Sequence, residues 1–113
     1  MIHESWTPLP CPAHPHTTVA LEGCGERAVT ESDHTIDRLA AAIFHLIDNT
    51  SDRKAFVSGE LSWLSYRRNS CRAAASSSSG GSNEPVAFVL CEKRVNRQHI
   101  ADLRADEKDL ETP

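Results

Sequence analysis

The sequence predicts an all-α, three-helix domain with a disulfide-stapled antiparallel helical hairpin and an N-terminal extended arm. Three observations predict it. Apolar residues recur at three- and four-residue spacing in separate stretches of the 113 residues. Cys71 and Cys91 lie at similar distances on either side of a Ser/Gly hinge at residues 76–82, so the two thiols come level if the flanking helices fold back. The β-branched run at residues 86–90 is too short to build a sheet.

The four cysteines indicate two structural bridges. They occur in a short chain without a Cys-x-x-Cys pair, which favours a disulfide framework over a zinc site or a redox motif. Three pairings are possible, and the hairpin geometry favours Cys71–Cys91, which leaves Cys11–Cys24 as a local loop. A bridge of this kind contributes about 2–4 kcal/mol to a small domain, whose core is modest.

Disulfides predict an oxidising compartment, so we expect the protein to be extracytoplasmic: periplasmic, in the cell envelope or secreted. The chain begins Met1-Ile2-His3-Glu4, without the basic and apolar regions of an export signal. We therefore expect that a signal was removed or that the start codon was placed too late. No apolar run approaches the length of a membrane span.

The chain divides into an extended Pro/His-rich arm at residues 1–23, a helical domain at residues 24–105 and a charged tail at residues 106–113. The tail is expected to fray. The first helix is expected to begin near Glu31, capped by Thr30 or Ser32, and to stop at residues 48–51. It carries one apolar stripe, formed by Ile36, Leu39, Ala40, Ile43, Leu46 and Ile47.

The second helix is expected to run from Ser51 or Asp52 to about Ala75. The residues expected on its buried side are Phe56, Val57, Leu61, Trp63, Leu64 and Cys71. After the hinge, Ser82 or Asn83 caps the third helix, with Pro85 in its first turn. Its inner face is expected to hold Val86, Val89, Leu90, Ile100 and Leu103. The first helix is expected to pack across this hairpin.

Trp63, Arg67 and Cys71 are spaced at i, i+4 and i+8, so they share one face of the second helix. Arg67 can then lie over the indole ring as a cation–π pair. The favoured interpretation of Trp63 and Arg67 is a structural hairpin staple. The alternative is a partner surface that includes Tyr66 and Arg67, because aromatic residues and arginine are frequent at binding hot spots.

The sequence offers no cofactor site and no catalytic motif. His3, Cys11, His14 and His16 are possible metal ligands, but their spacing matches no standard site and Cys11 is better used in a bridge. The serines of the second helix lack the context of a nucleophile elbow. The carboxylates lie on helix surfaces without a surrounding motif. We therefore expect a protein that is not an enzyme and holds no metal.

Charge is unevenly distributed along the chain, with a formal net charge of −4. Residues 1–50 contain seven acidic and two basic residues. Residues 51–78 contain two acidic and five basic residues, and residues 79–113 contain seven acidic and five basic residues. The favoured interpretation is that acidic flanking helices complement a basic central one at the surface. Nucleic acid is not an expected partner, because no dense basic stripe with interleaved aromatic residues is seen.

The block Trp63-x-x-Tyr66-Arg67-x-x-x-Cys71, followed by Gly80-Gly81-Ser82-x-x-Pro85, Cys91 and Ile100-Ala101-x-Leu103, resembles the LprI-like family of small exported bacterial proteins. Cys11 and Cys24 resemble that family's opening pair, so the likeness covers residues 11–103. The chain departs from the family at three positions. His99 stands in place of an arginine, Asp37 in place of an asparagine, and Ala40 in place of an aromatic residue, which implies a smaller contact between helix 1 and the hairpin.

The family is named for a lipoprotein that inhibits lysozyme, and the resemblance implies an exported binding protein that inhibits lysozyme by occluding its cleft. The candidate contact residues are Tyr66, Arg67, Arg68, Arg72, Ser76, Ser79 and Ser82. The alternative is a structural or accessory cell-envelope module, which associates with another envelope protein or a wall component and does not affect lysozyme.

Overall fold

The structure, a computed structural model, describes residues 2, 6, 8–78 and 83–112. Within these residues it contains three helices and no strand: α1 spans Thr18–Leu46, α2 Thr50–Ser78 and α3 Glu84–Glu111. The bridges Cys11–Cys24 and Cys71–Cys91 are both formed. The predicted all-α fold with a stapled hairpin is therefore confirmed. None of the described helices has the length and apolar composition of a membrane span.

Helix α1 begins at Thr18 and not near Glu31, so residues 18–23, which were assigned to the arm, are helical. The Thr17 hydroxyl caps the helix by accepting a hydrogen bond from the Ala20 N–H, one of the free N–H groups of the first turn, at 3.1 Å. Gly23 and Gly25 disfavour a helix by intrinsic propensity, which hid this start in the sequence. Both glycines allow close packing: a Cβ at Gly23 would collide with the Pro10 carbonyl, and one at Gly25 with the Val89 side chain.

The ends of α2 and α3 also extend further than predicted. Helix α2 continues to Ser78, and the hydroxyls of Ser76 and Ser77 each donate to a carbonyl of the last turns at 3.1 Å. Pro85 lies in the first turn of α3 as predicted. The predicted fraying from residue 106 is wrong, because α3 continues to Glu111 and the Thr112 N–H and hydroxyl both bond the Lys108 carbonyl.

Helix α3 is the central element of the bundle. It packs extensively against both α1 and α2, whereas α1 and α2 scarcely touch each other. The predicted packing of the first helix across the hairpin is thus corrected, because α1 lies along α3. The two run parallel, since Gly25 faces Val89 and Asp33 faces Asn96. The fully buried apolar cluster lies further along this contact and consists of Ile36, Ile43 and Leu103.

Ile2, near the start of the arm, lies where α1 and α2 separate. The Ile2 N–H donates to the Asp37 carboxylate at 2.9 Å, and Ile2 packs against the apolar cluster. Ile2 and Ala40 line a cavity of about 290 Å³ between the two helices. The small Ala40 side chain therefore leaves room for Ile2.

Several apolar residues expected in the core are exposed. Val57 is 43% and Leu61 61% accessible, because α1 does not cover this flank of α2. Leu46 and Leu90 are also exposed. The apolar stripe of each helix is thus narrower than the sequence pattern indicated.

A buried ion-pair network joins the three helices; we call it the Arg67 network. Arg67 is fully buried, and its Nη1 donates to Asp33 of α1 at 2.6 Å and to Asn96 of α3 at 2.9 Å. Its Nε lies 3.2 Å from the carboxylate of Glu92, also on α3. The guanidinium carbon is 5.5 Å from the centre of the Trp63 ring, which confirms the predicted cation–π pair.

Replacing Arg67 with methionine is expected to destabilise the fold by about 3–5 kcal/mol, because it leaves buried carboxylates without their cation. The free energy of unfolding in urea measures this loss. Arg67→Lys keeps the charge and should lose less, which provides a folded variant if Arg67→Met does not fold. Arg97→Met, at an exposed position, should change stability by no more than about 0.5 kcal/mol. A loss below about 1 kcal/mol for Arg67→Met contradicts this account.

The two disulfides should differ in their access to reductant. Cys71 and Cys91 are 0% and 4% exposed, whereas Cys11 and Cys24 are half-buried. Mild reduction of the native protein, followed by alkylation and peptide mass spectrometry, should therefore open Cys11–Cys24 first, because thiol exchange requires access to a sulfur. Opening of Cys71–Cys91 before the other bridge would disagree with the structure.

Candidate functional site

The candidate site lies at the hinge end of the bundle, which we define as the end formed by the start of α1, the end of α2 and the start of α3. Both disulfides lie at this end. Cys71–Cys91 joins α2 to α3 with a Cα–Cα distance of 5.4 Å, and Cys11–Cys24 joins the arm to α1 at 4.6 Å. The hinge end is therefore braced by covalent bonds to two neighbouring segments, which gives its side chains a rigid support.

Three of the candidate contact residues form a row on α2 that leads toward the hinge. Arg68, Arg72 and Ser76 are all exposed. Their i, i+4, i+8 spacing places them on one face of the helix. Arg72 also lines a cavity of about 350 Å³ with Trp6 of the arm and Glu22 of α1. Ser79 and Ser82, the remaining hinge candidates, lie outside the described residues.

Tyr66 is exposed but does not belong to this row. Successive residues of a helix turn by about 100°, so Tyr66 and Arg68 point to opposite flanks of α2. Tyr66 instead lines a groove of about 470 Å³ between α2 and α3, together with Arg94 and Gln98. The structure therefore divides the predicted contact residues between two surfaces.

Arg67 cannot serve as a partner contact, because its side chain is completely buried. This corrects its place among the candidate contact residues. Its contacts with Asp33, Asn96 and Glu92 lead to α1 and α3, which supports the structural interpretation of the Trp63–Arg67 pair.

An aromatic stack beside Tyr66 was not found from the sequence. The rings of Trp63 and His99 stack with a centroid distance of 3.8 Å and an interplanar angle of 10°. His99 Nε2 lies 2.9 Å from a carboxylate oxygen of Glu60. His99 thus joins α2 to α3. No local signal marks this pair, because the two rings come from different helices.

The possible metal ligands of the arm are not brought together as a thiolate site. The Cys11 sulfur belongs to the disulfide with Cys24. His14 and His16 are exposed, and His3 lies outside the described residues.

Glu26 lies on α1 at the hinge end and is only 7% exposed. Burial raises the pKa of its carboxyl group, and the negative charge of Glu22 and a hydrogen bond between the two side chains raise it further. The charged form of Glu26 is therefore unfavourable in the folded protein.

Glu26→Gln is expected to stabilise the protein at pH 7. The folded pKa of Glu26 lies above its unfolded value of 4.5, so the stability due to protonated Glu26 is full below pH 4.5 and is lost as pH rises through the raised pKa. Urea midpoints should therefore favour Glu26→Gln at pH 7 and show no difference near pH 3.5. The exposed Glu31→Gln is the matched control. If Glu26→Gln is destabilised equally at both pH values, the raised pKa of Glu26 does not determine the effect of the substitution.

The family model of the lysozyme inhibitor LprI matches residues 11–103. The chain belongs to the LprI family. The matched span includes both disulfides, the Arg67 network and the hinge end. No curated protein and no solved structure matches the chain. LprI membership thus points to a function like that of a lysozyme inhibitor, and the two disulfides fit an extracytoplasmic location.

Proposed function

We propose that this LprI-family protein binds a lysozyme and blocks its active-site cleft with the hinge end. The observation that supports the proposal is the exposed row of Arg68, Arg72 and Ser76 on a doubly braced end of the bundle. A lysozyme cleft is concave and contains two carboxylates that flank the scissile bond. The narrow end of a bundle enters such a cleft more readily than its flat sides do.

The inhibition would occur by occlusion, without a chemical reaction. An arginine guanidinium is planar and matches a carboxylate with two parallel hydrogen bonds, so Arg72 can satisfy a catalytic carboxylate that the glycan no longer reaches. The Ser76 hydroxyl can accept or donate a hydrogen bond at the same wall of the cleft. Because the disulfides already order this end, little conformational entropy is lost on binding.

The charge distribution favours the same orientation. Asp48, Asp52, Asp106 and Asp109 line one cavity at the end opposite the hinge. The net charge of −4 attracts a lysozyme of net positive charge. The acidic end is repelled by the cleft carboxylates, which turns the hinge end toward them. Because this steering acts between exposed charges, association should slow as salt is added.

The test is turnover of a bacterial cell-wall suspension by a c-type lysozyme, with the oxidised protein titrated in. Arg68→Glu combined with Arg72→Glu should weaken inhibition at least about tenfold, because two favourable charge contacts become repulsive. Arg97→Glu with Arg104→Glu makes the same change of net charge on α3 and should leave inhibition within about twofold. Equal inhibition by the two double variants would refute the proposal that Arg68 and Arg72 contact the lysozyme.

The same assay on the wild-type protein distinguishes the two functions expected from the sequence. Inhibition by the oxidised form supports the lysozyme inhibitor. The accessory envelope module is supported if the folded, oxidised protein inhibits no lysozyme class at tens of micromolar. Any binding would then be weaker than about −6 kcal/mol.

A further inference from the structure

Four cations form a line along the outer face of α3. Lys93, Arg97, Arg104 and Lys108 are all exposed. They are separated by four, seven and four residues, the spacing at which side chains share one face of a helix. At 1.5 Å per residue the line is about 22 Å long. We call it the α3 cationic line.

The α3 cationic line borders a groove. Lys93, Arg97 and Arg104 line a depression of about 530 Å³ between α1 and α3, whose opposite wall carries Glu31 and Thr35. Glu31 is the only acid among the lining residues. In the part of the chain that the structure describes, none of the four cations forms an ion pair. Three cations and one acid therefore leave the groove with a net positive charge.

Folding creates this charge pattern, which is absent from the order of residues along the chain. The segment 79–113 contains seven acids and five bases, so its net charge is negative. The helix places Asp102, Asp106 and Asp109 on other faces, where they line the α2–α3 groove and the end opposite the hinge. Glu107 and Glu111 lie on the same side as Lys108, beyond the residues that line the α1–α3 groove. A protein of net charge −4 thus carries a locally positive groove. Because the whole protein is negatively charged, an anion that binds in the groove would be held by the local charge of the groove and not by the net charge of the protein.

We propose that the α1–α3 groove binds a linear polyanion that carries phosphates along its backbone, such as a polyol phosphate chain. A flexible chain laid along the groove can place a phosphate against each cation in turn. Among the described residues no aromatic side chain lines the groove, so the contacts would go to phosphates and not to stacked bases. The cations border a concave groove whose floor includes the half-buried Ile100, a shape that fits a narrow chain better than a flat bilayer.

This site goes beyond lysozyme binding, because it uses a different helix and a different ligand. The Arg68–Arg72 row lies on α2 at the hinge end, whereas the α3 cationic line lies in the α1–α3 groove. A lysozyme and a polyanion would then bind at the same time. A phosphate-rich polymer would retain the protein through the α1–α3 groove, and the hinge end would stay free to bind lysozyme.

Binding of inorganic polyphosphate of defined length to the full, oxidised chain tests the proposal, measured by calorimetry at several salt concentrations. Each phosphate contacted by a flexible chain contributes about 0.7 to the slope of log K against log salt, so contacts with the three cations that line the groove predict a slope near −2.1. Arg97→Gln with Arg104→Gln should reduce the slope by about 1.4 and weaken binding at least tenfold at low salt. Arg68→Gln with Arg72→Gln removes the same charge from α2 and should change neither quantity. All four positions are exposed, so the variants should fold normally.

Four outcomes would overturn the proposal. The first is no binding of polyphosphate at low salt. The second is an equal loss in the two double variants, which would indicate a diffuse charge effect. The third is tighter binding to vesicles of anionic phospholipid than to polyphosphate, which would assign the groove to a membrane surface. The fourth is tighter binding to single-stranded DNA of equal charge, which would mean that bases are recognised. Lysozyme inhibition is a separate readout, and the Arg97, Arg104 double variant should retain it.

Discussion

The orientation of the whole bundle depends on the burial of Arg67. A guanidinium removed from water is tolerated only where carboxylates and hydrogen-bond acceptors surround it. Asp33 from α1 and Glu92 and Asn96 from α3 meet this requirement at 2.6–3.2 Å. Because these partners come from two other helices, the position of one side chain sets the rotation and register of all three. The Cys71–Cys91 bridge, one turn away along α2, fixes the same register covalently.

The rotation of α2 then decides what its other side chains can do. With Arg67 directed inward, Tyr66 and Arg68 must face opposite flanks, so a block that is continuous in sequence serves two surfaces. The rotation of α3 has a similar effect. Asp102, Asp106 and Asp109 line the groove shared with α2 and the end opposite the hinge, whereas Lys93, Arg97 and Arg104 face the groove shared with α1. A small protein with a modest core thereby presents two separate basic surfaces, the Arg68–Arg72 row and the α3 cationic line.

Features that depend on local spacing could be predicted from the sequence, and features that depend on packing could not. The hairpin and its bridge follow from the symmetric positions of Cys71 and Cys91 about the hinge. The start of α1 was missed because Gly23 and Gly25 oppose a helix until Pro10 and Val89 approach them. The partners of Arg67 and the stack of Trp63 on His99 were missed because they join residues from different helices.

The central claim is that the hinge end enters the lysozyme cleft with Arg72 opposite a catalytic carboxylate. A double-mutant cycle tests it directly, combining Arg72→Ala in this protein with a Glu→Gln or Asp→Asn change at each catalytic carboxylate of the lysozyme. Binding affinities of the four combinations give the coupling energy. The account predicts at least about 1.5 kcal/mol of favourable coupling with one of the two carboxylates, as for other close charge pairs across interfaces. Coupling near zero with both would contradict it.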